Sequence, residues 1–205
     1  DHDRPFVAGV PAKPAAGTSA GYLHFSQVWP LVTEQFLPAL TRARRVVAVE
    51  LDGQLIPVLR EVLADFPRVE IIHGDILKQD PAQLMHQPGY RVVANVPYYI
   101  TSAIIRHLLE AAIQPACLVL TMQKEVAERI CALPGDMSLL ALSVQVYGAP
   151  RPVVTNPAGA FYPPPQVDSV ALKVEIHPKP LIPPAQLEHF FRLAKAGFSQ
   201  KRKTL

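Results

Sequence analysis

Residues 45–52 read Arg45-Val46-Val47-Ala48-Val49-Glu50-Leu51-Asp52, and this stretch decides the fold. Its interior is unbroken Val and Ala, without the alternation expected of a strand wetted on one face. The run predicts a buried parallel strand over 45–50, with Glu50 at its carboxyl end. Asp52 suits a helix cap, and Leu55, Ile56, Leu59 and Leu63 follow at helical spacing. The same sequence of events then repeats. A strand is predicted over 69–73, ending at Gly74-Asp75, and another over 90–94, ending at Asn95. A helix over 102–112, a strand over 116–121 and a helix over 124–130 come next. Strands alternating with helices in this way define an α/β protein with a mostly parallel sheet.

Outward from this core the signals change. Residues 1–22 are rich in Pro, Gly, Ala and Ser and read as loop or disorder. A helix limited by Pro30 and Pro38 is expected within 28–42. Downstream, 139–147 and 167–176 read as strands, joined by a Pro- and Gly-rich connector over 148–165. Pro183 and Pro184 look like a boundary, and a helical segment with Leu187, Phe190, Phe191 and Leu193 follows. The expected domains are therefore a 1–22 N-terminal segment, a 23–182 α/β domain and the start of a helical domain over 183–205.

Composition narrows the class. The chain is 49% hydrophobic and 18% charged, which excludes a disordered protein. No apolar run is long enough to span a bilayer and no secretory leader is read at residues 1–22, so a cytoplasmic protein without membrane association is expected. Cys117 and Cys131 lie in apolar surroundings and read as free thiols; no metal-ligand spacing is present. The net charge is +3, and Lys195, Lys201, Arg202 and Lys203 gather at one end. Phosphates could meet such a tip, although an ordinary solvated helix end has the same composition.

Three polar side chains, Glu50, Asp75 and Asn95, fall just past the carboxyl ends of three predicted strands. In open α/β sheets the ligand crevice lies outside those ends. Two acids there suit the ribose hydroxyls and ring edge of a nucleoside-containing cofactor, whereas singly each acid also reads as a helix cap. The segment Asn95-Val96-Pro97-Tyr98-Tyr99-Ile100 puts an amide, a rigid proline and two aromatics together. An exocyclic amine on a flat ring is a poor nucleophile. The Asn95 side-chain oxygen and the Pro97 carbonyl would accept its two hydrogens and favour attack geometry, with Tyr98 stacking on the ring. Phe161, stiffened by Pro163 to Pro165, could close the opposite face of an extruded base. A turn with buried tyrosines and a proline-rich connector covering a core edge are the plainer readings.

At these residues the sequence resembles the bacterial small-subunit ribosomal RNA adenine dimethyltransferases, the superfamily that also holds the macrolide-resistance methylases. The resembling stretches are 46–52 (VVAVELD), 74–77 (GDIL), 95–100 (NVPYYI), 122–129 (MQKEVAER), 161–169 (FYPPPQVDS) and 198–205 (FSQKRKTL). Their order covers roughly residues 41–205. The resemblance implies a Rossmann-like class I methyltransferase sheet followed by the start of a small C-terminal helical domain. It implies S-adenosylmethionine as methyl donor and two adjacent adenines of small-subunit ribosomal RNA, or of an immature small ribosomal subunit, as acceptor. A monomer is implied. Glu50 would bind the cofactor ribose, and Asp75 with the backbone of Ile76 its adenine; Asn95 would also touch the cofactor. Asn95, Pro97 and Tyr98 would form the acceptor site, and Phe161 would stack on the target base.

One departure stands against that pattern. The family carries a glycine-rich cofactor loop about twenty residues before the acid at Glu50, but 23–33 here reads LHFSQVWPLVT, with no glycine. A residue with a β-carbon neither lets a ligand approach the backbone as closely nor adopts positive φ cheaply. Either residues are absent from the sequence there, with a long Cα step expected between Leu23 and Thr33, or the cofactor loop is truly different. The second account opens an alternative: a non-catalytic RNA-binding or ribosome-assembly protein on a methyltransferase scaffold. A methyltransferase acting on DNA or a small molecule fits the ordered blocks less well. A nicotinamide dehydrogenase lacks the dinucleotide glycines and gives the 95–98 segment no role.

Overall fold

The computed structural model describes residues 43–160 and 165–199, and the backbone of 21–26. The valine run forms strand β2 (Arg45–Glu50), whose last five residues are all buried. It lies inside a seven-stranded sheet with β1 (Gly21–Ser26), β3 (Val69–His73), β4 (Arg91–Asn95), β5 (Cys117–Gln123), β6 (Gly148–Asn156) and β7 (Ser169–Ile176). The order across the sheet is β3-β2-β1-β4-β5-β7-β6. The first five strands are parallel, while β7 runs antiparallel to both β5 and β6. The expectation of one mostly parallel sheet for 45–50, 69–73, 90–94 and 116–121 is met. The chain winds one way from β1 to β3 and the other way from β4, so the order reverses at β1/β4, where ligand crevices open.

The helices among the described residues are α1 (Leu55–Val62), α2 (Pro81–Met85), α3 (Thr101–Leu109), α4 (Lys124–Ile130), α5 (Leu139–Gln145) and α6 (Pro184–Phe198). Strand and helix alternate along the parallel half. The alternate residues Val92 and Ala94 of β4 and Leu118, Leu120 and Met122 of β5 are buried together with Ile104, Ile105, Leu108 and Leu109 of α3. Leu172 and Val174 of β7 and Ile130 of α4 join the same core. A smaller cluster of Ile56, Leu59 and Leu63 packs α1 on the β3 side, with Val69 and Ile71 against it. α6 has no buried residue, and its contact with the body includes α5.

Three expectations are corrected here, and one element is added. Residues 139–147 do not form a strand: 139–145 are helix α5. Leu and Ala are strong helix formers, and the Ser138 hydroxyl accepts the Ala141 N–H at 3.2 Å, capping the first turn. The 148–165 connector contains strand β6, despite Pro150 and Pro152. β6 is an edge strand with a register shift between Pro152 and Val154, the setting in which a sheet tolerates residues that cannot donate to the ladder. Its first residue must be small, because a β-carbon on Gly148 would stand 2.6 Å from the Glu175 carbonyl oxygen. The loop expected over 1–22 is overturned at Gly21 and Tyr22, which open β1, while 1–20 lie outside the described residues. β1 is held by ladders to β2 and β4 on both sides, a non-local cause with no local periodicity to announce it. Finally, α2 was not expected; the Asp80 carboxylate accepts the Ala82 N–H at 2.9 Å and Pro81 opens the helix.

The 27–42 segment, with its expected helix, most of the glycine-free stretch and the expected long Cα step before Thr33, lies outside the described residues.

Candidate active site

β2 and β3 deliver the two acids. Gly74 N–H donates to the Glu50 carbonyl at 2.8 Å, tying the end of β3 to the end of β2. Glu50 is only 6% exposed, although it ends at a ligand crevice. One of its carboxylate oxygens accepts the Asp52 N–H at 2.8 Å. Burial pushes this carboxyl above its ordinary value; hydrogen bonds from the Asp52 and Leu51 N–H groups oppose the rise, and the Asp52 charge adds to it. Asp75 caps the short 3-10 turn Ile76–Lys78, accepting the Leu77 N–H at 3.0 Å on one oxygen. The turn leaves Ile76 buried beneath the crevice wall.

β4 delivers the amide. Asn95 is the last residue of the strand, paired in register with Ser26 of β1 and Thr121 of β5. Its side chain makes no hydrogen bond to any described residue, and it lines the crevice. The chain then turns through a 3-10 element, Tyr98–Ile100, into α3. The buried Thr101 hydroxyl donates to the Pro97 carbonyl at 3.1 Å and approaches that of Tyr98 at 3.3 Å. Ile100 N–H also donates to the Pro97 carbonyl, at 3.2 Å.

Glu50, Asp75, Ile76, Asn95 and Pro97 all line one crevice, with Leu51, Ile100 and Tyr99 among its other walls. The mix is an apolar slot with an acid on each of two strand ends and an amide on a third. Tyr98 is not among the lining residues. Its hydroxyl shares a 2.7 Å hydrogen bond with Ser169, a fully buried residue at the start of β7. Tyr99 lies at the crevice instead and is 78% exposed. Phe161 lies outside the described residues. Sequence reading missed three features. It did not separate the two tyrosines, since adjacency in a turn gives no clue to which side chain faces in. It assigned amine binding to the Pro97 carbonyl, which already accepts two internal hydrogen bonds. The Val96 carbonyl accepts none from the described residues and is the other backbone acceptor beside Asn95. It also overlooked Leu51, an exposed apolar wall directly after the acid.

Among the described residues no three His, Cys, Asp or Glu side chains gather to hold a metal ion, and no helix is long and apolar enough to cross a membrane. Cys117 and Cys131 are free and half-buried, and burial raises both thiols above their ordinary values.

A 3-2-1-4-5-7-6 sheet with a reversed β7, and acids closing β2 and β3, defines the class I methyltransferase scaffold. Solved structures agree. A dimethyladenosine transferase from Plasmodium falciparum superposes with a TM-score of 0.77 at 26% identity, covering 91% of this chain and 66% of that one. The 23S rRNA methyltransferase ErmE gives 0.74 at 28% identity, covering 88% and 71%. The model of the ribosomal RNA adenine dimethylase family matches residues 31–205, and the chain belongs to that family. Ribosomal RNA small subunit methyltransferase A of Dehalococcoides mccartyi is 49% identical over 167 residues, 81% of this chain and 57% of the relative. The protein of the same name from Shouchella clausii is 43% identical over 171 residues, 80% of this chain and 58% of the relative. The chain thus spans about three fifths of the length of these relatives. The family match begins at residue 31, so β1 fills the central position of the sheet with residues that precede the matched stretch.

Proposed function

We propose that this protein transfers methyl groups from S-adenosylmethionine to the N6 amines of two adjacent adenines in small-subunit ribosomal RNA. The observation that carries this reading is the convergence of Glu50, Asp75, Ile76, Asn95 and Pro97 on one crevice at the strand ends. The lining fits the cofactor's nucleoside. Glu50 keeps acceptor capacity for ribose hydroxyls beyond the Asp52 and Leu51 N–H groups, and Asp75 with Ile76 offers a carboxylate and an apolar wall to an adenine. When bound, S-adenosylmethionine supplies an electrophilic methyl group on a sulfonium.

The rest falls to the protein. The Asn95 side-chain oxygen and the Val96 carbonyl accept the two hydrogens of the acceptor amine and turn its lone pair out of conjugation with the ring. No strong base is needed, because the amine proton becomes acidic only as the new bond forms. Tyr98, whose hydroxyl is tied to Ser169, would back the wall that carries Asn95, and Phe161 would close a face of the target base. α6 would begin a second, helical unit that grips the RNA together with the basic residues 195–203, and the protein would act as a monomer on an immature small subunit.

A second reading has two observations in its favour: no glycine occurs between Tyr22 and Asp52, and the family match begins at residue 31. On that reading the scaffold still binds ribosomal RNA but holds the cofactor poorly. Calorimetric titration with S-adenosylmethionine, beside methyl transfer into small subunits that lack the modification, separates the two. Micromolar binding with transfer supports the enzyme; RNA binding without either supports the scaffold.

A further inference from the structure

The segment Val167-Asp168-Ser169 is given no role by the chemistry above, yet it ties the acceptor turn to two other parts of the fold. The Asp168 carboxylate accepts the Ala158 N–H at 3.0 Å across ten positions of chain, closing the connector between β6 and β7 on itself. The Asp168 carbonyl accepts the Lys124 N–H at 3.0 Å, where β5 passes into α4. The Ser169 hydroxyl shares its 2.7 Å bond with Tyr98, seventy-one positions away in the acceptor turn. Ser169 is 0% exposed and stands in register with Gln123 of β5 and Asn156 of β6.

A buried hydroxyl is costly unless partnered, and so is a phenol whose oxygen faces inward. An apolar residue at 169 would leave the Tyr98 hydroxyl without this bond. Tyr98 is instead held at both ends: Thr101 reaches its carbonyl and Ser169 its hydroxyl. One bond holds the ring and the other the backbone, so the turn that carries Asn95 to Ile100 is anchored at Tyr98 from two sides. Two consecutive residues therefore couple the acceptor turn, the β5–α4 junction and both ends of the connector.

We propose that Asp168 and Ser169 are positioning residues that clasp these segments together and fix the acceptor turn for methyl transfer. The proposal rests on the methyltransferase reading of the same site. Its test is a double-mutant cycle of Tyr98→Phe and Ser169→Ala, read as kcat, RNA KM and cofactor Kd. Each single variant should lower kcat about tenfold, the scale expected of a sub-ångström misplacement, with RNA KM and cofactor Kd changed less than about twofold. The double variant should be no worse than the singles, because both remove one bond. Ser169→Thr, which keeps the hydroxyl, should retain most of the rate. Unchanged kcat in folded Tyr98→Phe, or losses that multiply in the double variant, would overturn the proposal. If the unaltered protein transfers no methyl group, the methyltransferase reading fails. The clasp is then read by amide hydrogen exchange in Asp168→Ala: faster exchange at Ala158 is expected, and unchanged protection there overturns it.

Discussion

Gly74 and Glu50 are joined backbone to backbone by a 2.8 Å hydrogen bond, and this one contact sets the two acids of the site side by side. It draws the turn after β3 against the last residue of β2, so that Asp75 starts where Glu50 ends. A β-carbon on Gly74 would meet the Gln79 side-chain nitrogen at 2.9 Å, the movable end of a flexible group. Gly74→Ala should therefore fold, with a stability loss of about 1 kcal/mol or less on urea unfolding. A loss several times larger would mean that Gln79 cannot yield.

Glu50 is where stability and binding pull in opposite directions. Its folded pKa is raised by burial, so the folded state holds this proton more tightly than the unfolded chain does. The associated stability is present below the unfolded pKa and is lost as pH rises through the raised folded value. At neutral pH the ionised carboxylate is thus a net cost. Glu50→Gln removes that cost and should raise the melting temperature at pH 7, while weakening S-adenosylmethionine binding by about tenfold or more through loss of a charged acceptor. Cofactor affinity of the unaltered protein should fall on acidification, starting at a higher pH than an ordinary carboxylate would give. A lower melting temperature for Glu50→Gln would show that the carboxylate is better paired than its surroundings indicate.

Asn95→Ala removes an acceptor with no partner among the described residues, so little structure should depend on it. Turnover should drop by about a hundredfold or more, the loss typical of a group acting on the reacting centre, while cofactor Kd moves less than about threefold. Equal turnover in the two proteins would remove Asn95 from the acceptor site.

Tyr99 supplies the opposite test, because it lines the crevice while remaining largely in solvent. Tyr99→Ala should leave thermal stability within about 0.5 kcal/mol, as for other exposed positions. Cofactor binding should weaken about fivefold through loss of one wall, a stacking-scale effect, and Tyr99→Phe should restore it. Full affinity in the alanine variant would assign the ring to another ligand or to none.

Ser138→Ala tests the segment whose sequence misled. Without the Ser138 cap, α5 should lose about 1 kcal/mol, seen as a lower urea midpoint. The error at 139–147 was one of period: an apolar run of eight or nine residues reads as either element, and only the cap residue before it decides. β2 and β3 were legible to the residue because a run of β-branched and apolar residues bounded by polar ones admits one reading. β1 was not, since its strand conformation comes from two neighbours far along the chain. The acids and the amide of the site were legible from their place at strand ends. Which tyrosine faces the crevice was not, because that choice is made by Ser169, beyond the reach of any local pattern.

The prolines of β6 carry a consequence for the molecule outside its crevice. β6 closes one side of the sheet, and an unpaired strand is a template on which another extended chain can add. Pro150 and Pro152 stand two residues apart, at equivalent positions of the pleat, and neither can donate a hydrogen bond. The register shift just after them twists the strand away from a flat partner. The same two residues that disguise β6 as a loop in the sequence thus guard the finished sheet against fibrous self-association.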